Sequence, residues 1–324
     1  MKNIIYSISF LLLLSAIKTT CAQQEPMNTM FAYNKLQVNP AYTGGKDMVS
    51  IRAVYRNQWV KLPGAPQTIN VNVHSPLKNE RIALGLSVLN DRLGVTNQTW
   101  LMTSFAYRIP FKNDTKLSFG ISAGMLVYKT NITLLDAIDQ GDPLLQNNLK
   151  GVNPNIGVGV YYYGQKFYVG VSMPNVLPLN YMHHKDNAQL PNRFKQVPHI
   201  FIMAGYTFEM GKKKNFWIQP QLLLKYIATT QFKIPFEIDA NATFTLFKIA
   251  NFGLTYRTGL ADKFDNRESV DVMTMFQIPK GFSIAYSYDI TISKVKKYEN
   301  GTHEIMLGYD FDPHKKGTRT PRYF

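Results

Sequence analysis

Cysteine is all but missing from this 324-residue chain, which has only Cys21. That residue sits where an export signal ends, so processing after Ala22 leaves a mature chain with no thiol. Disulfides, thiol chemistry and cysteine-based metal sites are then excluded. Long apolar runs are equally scarce. Ile4 to Ile17 is the main one, and nothing later approaches eighteen consecutive apolar residues, which argues against membrane-spanning helices. Acidic residues are few: 21 Asp and Glu face 36 Lys and Arg, a formal net charge of +15. Helical 3.6-residue patterning is nearly absent after residue 48, which argues against helical bundles and α/β folds.

What the N-terminus does hold is a secretory signal over residues 1–22. Lys2 supplies the positive start, Leu11 to Leu14 the apolar centre, and Thr20-Cys21-Ala22 the small-residue end before Gln23-Gln24-Glu25. A lipoprotein signal places Leu three residues before its cysteine. This chain has Lys18 there, which argues against lipidation. Export also bears on the charge. Losing Lys2 and Lys18 with the signal takes +15 to +13, and strong positive charge ordinarily suggests nucleic acid or an anionic surface. An exported chain points to the anionic surface, membrane lipid headgroups, and to no nucleic acid. The lysines gather in turns, as at Lys212-Lys213-Lys214, and in a tail with Lys315, Lys316, Arg319 and Arg322.

Period-2 alternation recurs along the rest of the chain. Ile82, Leu84, Leu86 and Val88 oppose Ala83, Gly85 and Ser87. Ile238, Ala240, Ala242, Phe244 and Leu246 oppose Glu237, Asp239, Asn241, Thr243 and Thr245. The clearest cases close the chain: Phe282, Ile284, Tyr286, Tyr288 and Ile290, then Ile305, Leu307, Tyr309 and Phe311. Segments of ten to fourteen residues exceed the soluble norm of about five or six and suit tilted membrane strands. Fourteen strands are predicted, at 49–56, 67–74, 81–90, 98–110, 115–129, 154–163, 166–173, 199–209, 215–226, 235–246, 251–260, 268–278, 281–292 and 302–311. An even count is what a bacterial single-chain barrel requires.

The connections sort by parity. Every second one is short, whereas the others include the long stretches 130–153 and 174–198. Short periplasmic turns alternating with longer external loops mark an outer-membrane barrel, and aromatics at 13% of the residues suit its interfacial girdles. The fold expected is all-β, a transmembrane antiparallel barrel with both termini periplasmic. Pro220 interrupts a strand and calls for a bulge or an adjusted register.

A charge on the lipid face costs about 2–4 kcal/mol at mid-membrane. Asp239, Arg257, Asp289, Glu304 and Asp310 are therefore placed inside. Residues 23–48 lack alternation and are read as a periplasmic N-terminal segment that lines or plugs the mouth. The barrel is placed at 49–311, and residues 312–324 form a basic periplasmic tail. No G-x-S-x-G, H-E-x-x-H or P-loop occurs. Adjacent histidines diverge in extended chain, so His183-His184 with Asp186 makes no metal site. No catalytic, cofactor-binding or metal residue is assigned, and the chain is read as a non-enzyme.

Specific motifs then carry a resemblance. Asn39-Pro40-Ala41-Tyr42-Thr43-Gly44 is followed by Tyr55-Arg56-Asn57-Gln58-Trp59, Pro66-Gln67-Thr68 and His74-Ser75-Pro76. Gly85, Leu89-Asn90-Asp91 and Gly94 continue it, and Ala285 to Ile290, Gly301, His303-Glu304-Ile305 and Tyr309 close it. Together they resemble the PorP/SprF family of outer-membrane proteins of type IX secretion and gliding motility. The resemblance implies a role in exporting secreted proteins or anchoring them at the cell surface. Its implied partners are other secretion components (periplasmic ring or motor proteins) and a surface protein such as an adhesin. Asn39, Pro40, Tyr42, Arg56, Gln58, Trp59, Asp289 and Glu304 are the candidate family-motif or partner-contact residues. From the residues alone, Asn39-Pro40 is a turn signal, and Trp59 suits a membrane interface, with Arg56 pairing loop carboxylates. The alternative function is a general porin or small-solute channel.

Overall fold

The computed structural model describes residue 26 and residues 28–311, except 79, 135–147, 178, 181–194, 197, 212–214, 228–235 and 261–266. The signal, the tail, the Lys212-Lys213-Lys214 turn and the His183-His184-Asp186 cluster lie outside the described residues, as do most of the two longest loops.

Alternation becomes a closed sheet. The first seven strands are β1 Val49–Asn57, β2 Gln67–Pro76, β3 Ile82–Leu93, β4 Thr96–Pro110, β5 Lys116–Thr130, β6 Leu149–Tyr163 and β7 Phe167–Met173. Strand β8 comes in two pieces, His199–Tyr206 and Phe208–Met210. The remainder are β9 Phe216–Ile227, β10 Phe236–Leu246, β11 Ala250–Leu260, β12 Arg267–Gln277, β13 Phe282–Thr291 and β14 Thr302–Phe311. Each pairs antiparallel with the next, and β1 pairs with β14 from Val49↔Phe311 to Asn57↔His303. The result is a closed fourteen-stranded antiparallel barrel. Closure leaves no unpaired sheet edge, which is what lets strands sit in hydrocarbon.

The outer face is an apolar belt. Ile69, Leu84, Phe105, Phe119, Ile121, Val171, Leu254, Val272, Ile284 and Leu307 are all exposed, each next to buried inward-facing neighbours. The five charged residues placed inside by the membrane-cost argument are there. Asp239, Arg257, Asp289 and Glu304 are all buried, and Asp310 turns inward to pair with Arg52 at 2.7 Å.

Two details differ from expectation. Several strands run longer, β6 beginning at Leu149 and β4 at Thr96, because cross-strand pairing continues past the point where alternation fades. Pro220 needs no bulge. It pairs with Ala242 in an unshifted register, and the disturbance falls on the other side, where β8 is interrupted at Thr207. There the side-chain amide of Gln219 donates to Thr207 Oγ1 at 3.1 Å. Thr207 N–H turns to Lys166 O at 2.7 Å. A missing proline N–H thus interrupts one ladder without moving a side chain to the wrong face.

The short connections use tight backbone geometry. Phe247 and Lys248 both have positive φ, as do Lys280 and Gly281, so each of these connections turns through consecutive left-handed residues.

Candidate functional site

The lumen contains the chain's own N-terminal segment. Residues 28–47 carry no regular periodicity and form three single-turn 3-10 helices, Thr29–Ala32, Lys35–Gln37 and Pro40–Tyr42. Such turns leave backbone groups unpaired, and the barrel wall supplies partners for many of them. The segment runs from beside Glu304, near the long-loop end of β14, to Asp47 at the short-turn end.

The motif Asn39 to Gly44 has a physical reading residue by residue. The Asn39 side chain accepts from Ala41 N–H at 2.9 Å, capping the turn. Its Nδ2 donates to Val160 O at 3.1 Å, on β6. Pro40 occupies the first helical position, where a missing N–H costs nothing. Thr43 Oγ1 donates back to Pro40 O at 2.7 Å, and Ser118 Oγ of β5 donates to Ala41 O at 2.6 Å. Tyr42 stands edge-on to His74 and Tyr161, with centroids 5.5 and 5.6 Å away. Gly44 has φ +74°, and a Cβ there would lie 2.5 Å from Ala83 Cβ. Its N–H donates to His74 Nδ1 at 3.0 Å, and its carbonyl accepts from Arg108 at 2.7 Å. Only glycine meets both demands.

Three ionic groups fix the segment. Near the long-loop end, Arg56 Nη1 lies 2.8 Å from Asp289 and 2.9 Å from Glu304. Glu304 also accepts from the N–H groups of Thr29 and Met30, at 2.9 and 3.1 Å. Thr29 Oγ1 donates to Asp289 at 2.7 Å and accepts from Arg56 at 2.9 Å. Near the short-turn end, Lys46 reaches Asp310 at 2.9 Å. Asp47 takes Arg108 at 2.6 Å and Lys116 at 2.9 Å. Buried charges survive only when paired in this way.

Between these clamps the inward face carries two apolar patches. Phe31, Leu36, Ala41 and Tyr42 of the segment pack with Tyr161, Tyr163, Tyr168, Phe201, Met203 and Leu223. Met30 packs with Val54, Met275, Ala285 and Met306. These patches form a core for the segment within a lumen that is otherwise polar, and β9–β12 keep a charged cluster in which Lys225 meets Glu237 and Arg257 meets Asp239, at 2.6 and 2.9 Å. On the long-loop side of the segment the lumen retains a cavity of about 120 Å³, lined in part by Leu89, Trp100 and Met102.

The candidate residues fall into three places. Arg56, Asp289 and Glu304 meet in one ionic group, with the acceptors coming from neighbouring strands and not from the loops. Asn39, Pro40 and Tyr42 share the central turn. Gln58 and Trp59 lie in the β1–β2 loop, where Gln58 N–H donates to Pro66 O at 3.0 Å and Trp59 N–H to Thr302 Oγ1 at 3.1 Å. Sequence reasoning did not single out Thr29, Lys46, Asp47, Arg108 or Ser118. Two inward glycines make the room these contacts need: a Cβ on Gly120 would lie 2.2 Å from Ala41 N, and one on Gly159 2.1 Å from Asn39 Oδ1.

Set beside known proteins, this chain has one decisive match. The family model for the type IX secretion system membrane protein PorP/SprF covers residues 20–309. The chain belongs to that family. The resemblance drawn from Asn39–Gly44 and the C-terminal strands thus holds, and this PorP/SprF protein is a membrane barrel of a secretion system. Among solved structures, the CymD monoaromatic hydrocarbon channel is similar, at 10% identity, over 87% of this chain and 93% of that one, with TM-score 0.51. The Acinetobacter baumannii outer membrane protein Omp33 is 8% identical over 83% of this chain and 100% of that one, with TM-score 0.46. The CymD likeness speaks for the barrel fold alone. No curated protein matches this PorP/SprF chain.

Proposed function

We propose that this chain is a non-enzymatic, non-conducting barrel of the type IX secretion and gliding machinery. It assists the export of secreted proteins, or their anchoring at the cell surface, adhesins among them. It reaches the outer membrane through a signal cleaved after residue 22, with its short turns in the periplasm and its long loops outside. The segment 23–48 acts as an internal plug, and the tail 312–324 is a docking peptide for periplasmic ring or motor proteins. The loops 130–153 and 174–198, with Gln58 and Trp59 at the same end, meet the exported partner.

One observation carries the choice over a porin: residues 28–47 lie in the lumen, hydrogen-bonded to the buried Arg56–Glu304 pair at one end and ion-paired to Arg108 through Asp47 at the other. A solute channel needs a continuous aqueous path, and this segment stands in it. Family membership supports the secretion role. Deleting the gene should leave one or a few surface proteins retained in the cell or shed to the medium. Gentle solubilisation and pull-down should recover a secreted surface protein or a periplasmic ring component. Normal surface display in the deletion strain would sink the reading.

A further inference from the structure

The short-turn rim repeats one small device. Leu77-Lys78, Phe111-Lys112 and Phe247-Lys248 each place a lysine directly after an apolar residue, and Ile278-Pro279-Lys280 does so with one residue between. In all four turns the apolar side chain and the lysine are both exposed. The apolar member continues the lipid-facing belt to its edge: Leu77, Phe111, Phe247 and Ile278 are 44%, 47%, 68% and 47% exposed. The lysine then stands where hydrocarbon gives way to headgroups. Lys166, in the β6–β7 turn, is spoken for by Glu209 at 2.9 Å, whereas Lys248 lies over the Trp217 ring at 5.5 Å. Among the described turn residues the cations Lys78, Arg81, Lys112, Lys166, Lys248 and Lys280 outnumber the carboxylates Glu80 and Asp114.

We propose that the four exposed lysines Lys78, Lys112, Lys248 and Lys280 form a headgroup-binding collar that selects anionic phospholipid around the short-turn end. Lysine suits this position because its apolar stem lies along the belt while its ammonium reaches phosphate. The attraction is local, since it fades within a Debye length. The flanking apolar residue fixes the depth of each ammonium, so charge and hydrocarbon edge are registered together four times. The partner that fits both halves of this device is a phospholipid with a net negative headgroup, such as phosphatidylglycerol. An acidic protein surface would satisfy the lysines but leave the adjoining apolar residues without a role.

The test uses the purified full chain reconstituted in phosphatidylcholine bilayers with spin-labelled phosphatidylglycerol or phosphatidylcholine. Electron paramagnetic resonance reads the immobilised fraction of each. The wild type should hold phosphatidylglycerol about fivefold more strongly than phosphatidylcholine, the size of effect expected of a lysine near headgroups. K78Q/K112Q/K248Q/K280Q should bring the ratio close to one, and high salt should do the same to the wild type. Heat-modifiable gel mobility confirms that the variant remains a folded barrel. Equal retention of the two lipids by the wild type, or a preference that survives either the substitutions or salt, overturns the proposal. The readout is independent of any secretion partner, so it stands or falls apart from the secretion reading.

Discussion

Replacing Arg56 with alanine is expected to cost about 3–5 kcal/mol of folding free energy, the range for removing one member of a buried ion pair. The reason is what the change leaves behind. Asp289 and Glu304 both direct an oxygen at the same Arg56 nitrogen, at 2.8 and 2.9 Å, and both are buried. Without the guanidinium they face each other in a medium that screens poorly. The effect reaches the segment as well, because Thr29 bridges Arg56 and Asp289 and its N–H depends on Glu304. Urea unfolding of the reconstituted protein measures the loss, with Arg56→Lys as a comparison that keeps charge but not the shared geometry. A change below about 1 kcal/mol, the range of an exposed pair, would mean that this group is open to water and does not clamp the segment.

Gly120→Val should expel the segment while leaving the barrel standing. The added Cβ would lie 2.2 Å from Ala41 N and 2.4 Å from Ala41 Cα and Pro40 C. All three are backbone atoms, so no rotamer change relieves the contact. Either β5 moves or the segment does. Strand β5 is paired on both sides, to β4 from Thr96↔Thr130 to Pro110↔Lys116, and to β6 from Lys116↔Tyr163 to Thr130↔Leu149. The segment has only single-turn helices and side-chain anchors. It should give way, exposing residues 28–47 to protease in a barrel that still shows heat-modifiable mobility. Full protection of these residues in the variant would mean that the segment is not seated against β5.

The barrel was legible because one physical demand shaped every strand: an apolar outer face next to an inner face free of lipid. That demand writes period 2 into the sequence, and it puts Asp239 and Glu304 inside. The contents of the lumen left no such trace. Turns such as Lys35–Gln37 have no periodicity, and their anchors are remote in sequence, Thr29 meeting Glu304 275 residues away. The run Tyr161-Tyr162-Tyr163 illustrates the difference. Its outward member fits the lipid face, while Tyr161 and Tyr163 are buried against Tyr42 and each other. Alternation alone counts that run as a defect, whereas it is a core. Inward glycines at 120 and 159 likewise read as neutral lumen positions, although each makes room for a segment backbone or side chain. The motif residues Asn39, Pro40 and Tyr42 were recognisable by likeness, and their cap, turn and ring contacts supply the physical reason for that pattern.

Whether the segment closes the barrel is tested directly by single-channel recording in planar bilayers. The intact purified chain should insert without steady conductance. The same chain lacking residues 28–47 should give stable open-channel steps, provided its gel mobility shows a folded barrel. Steady conductance from the intact chain, matching that of the deletion, would contradict the account and return the porin reading to first place.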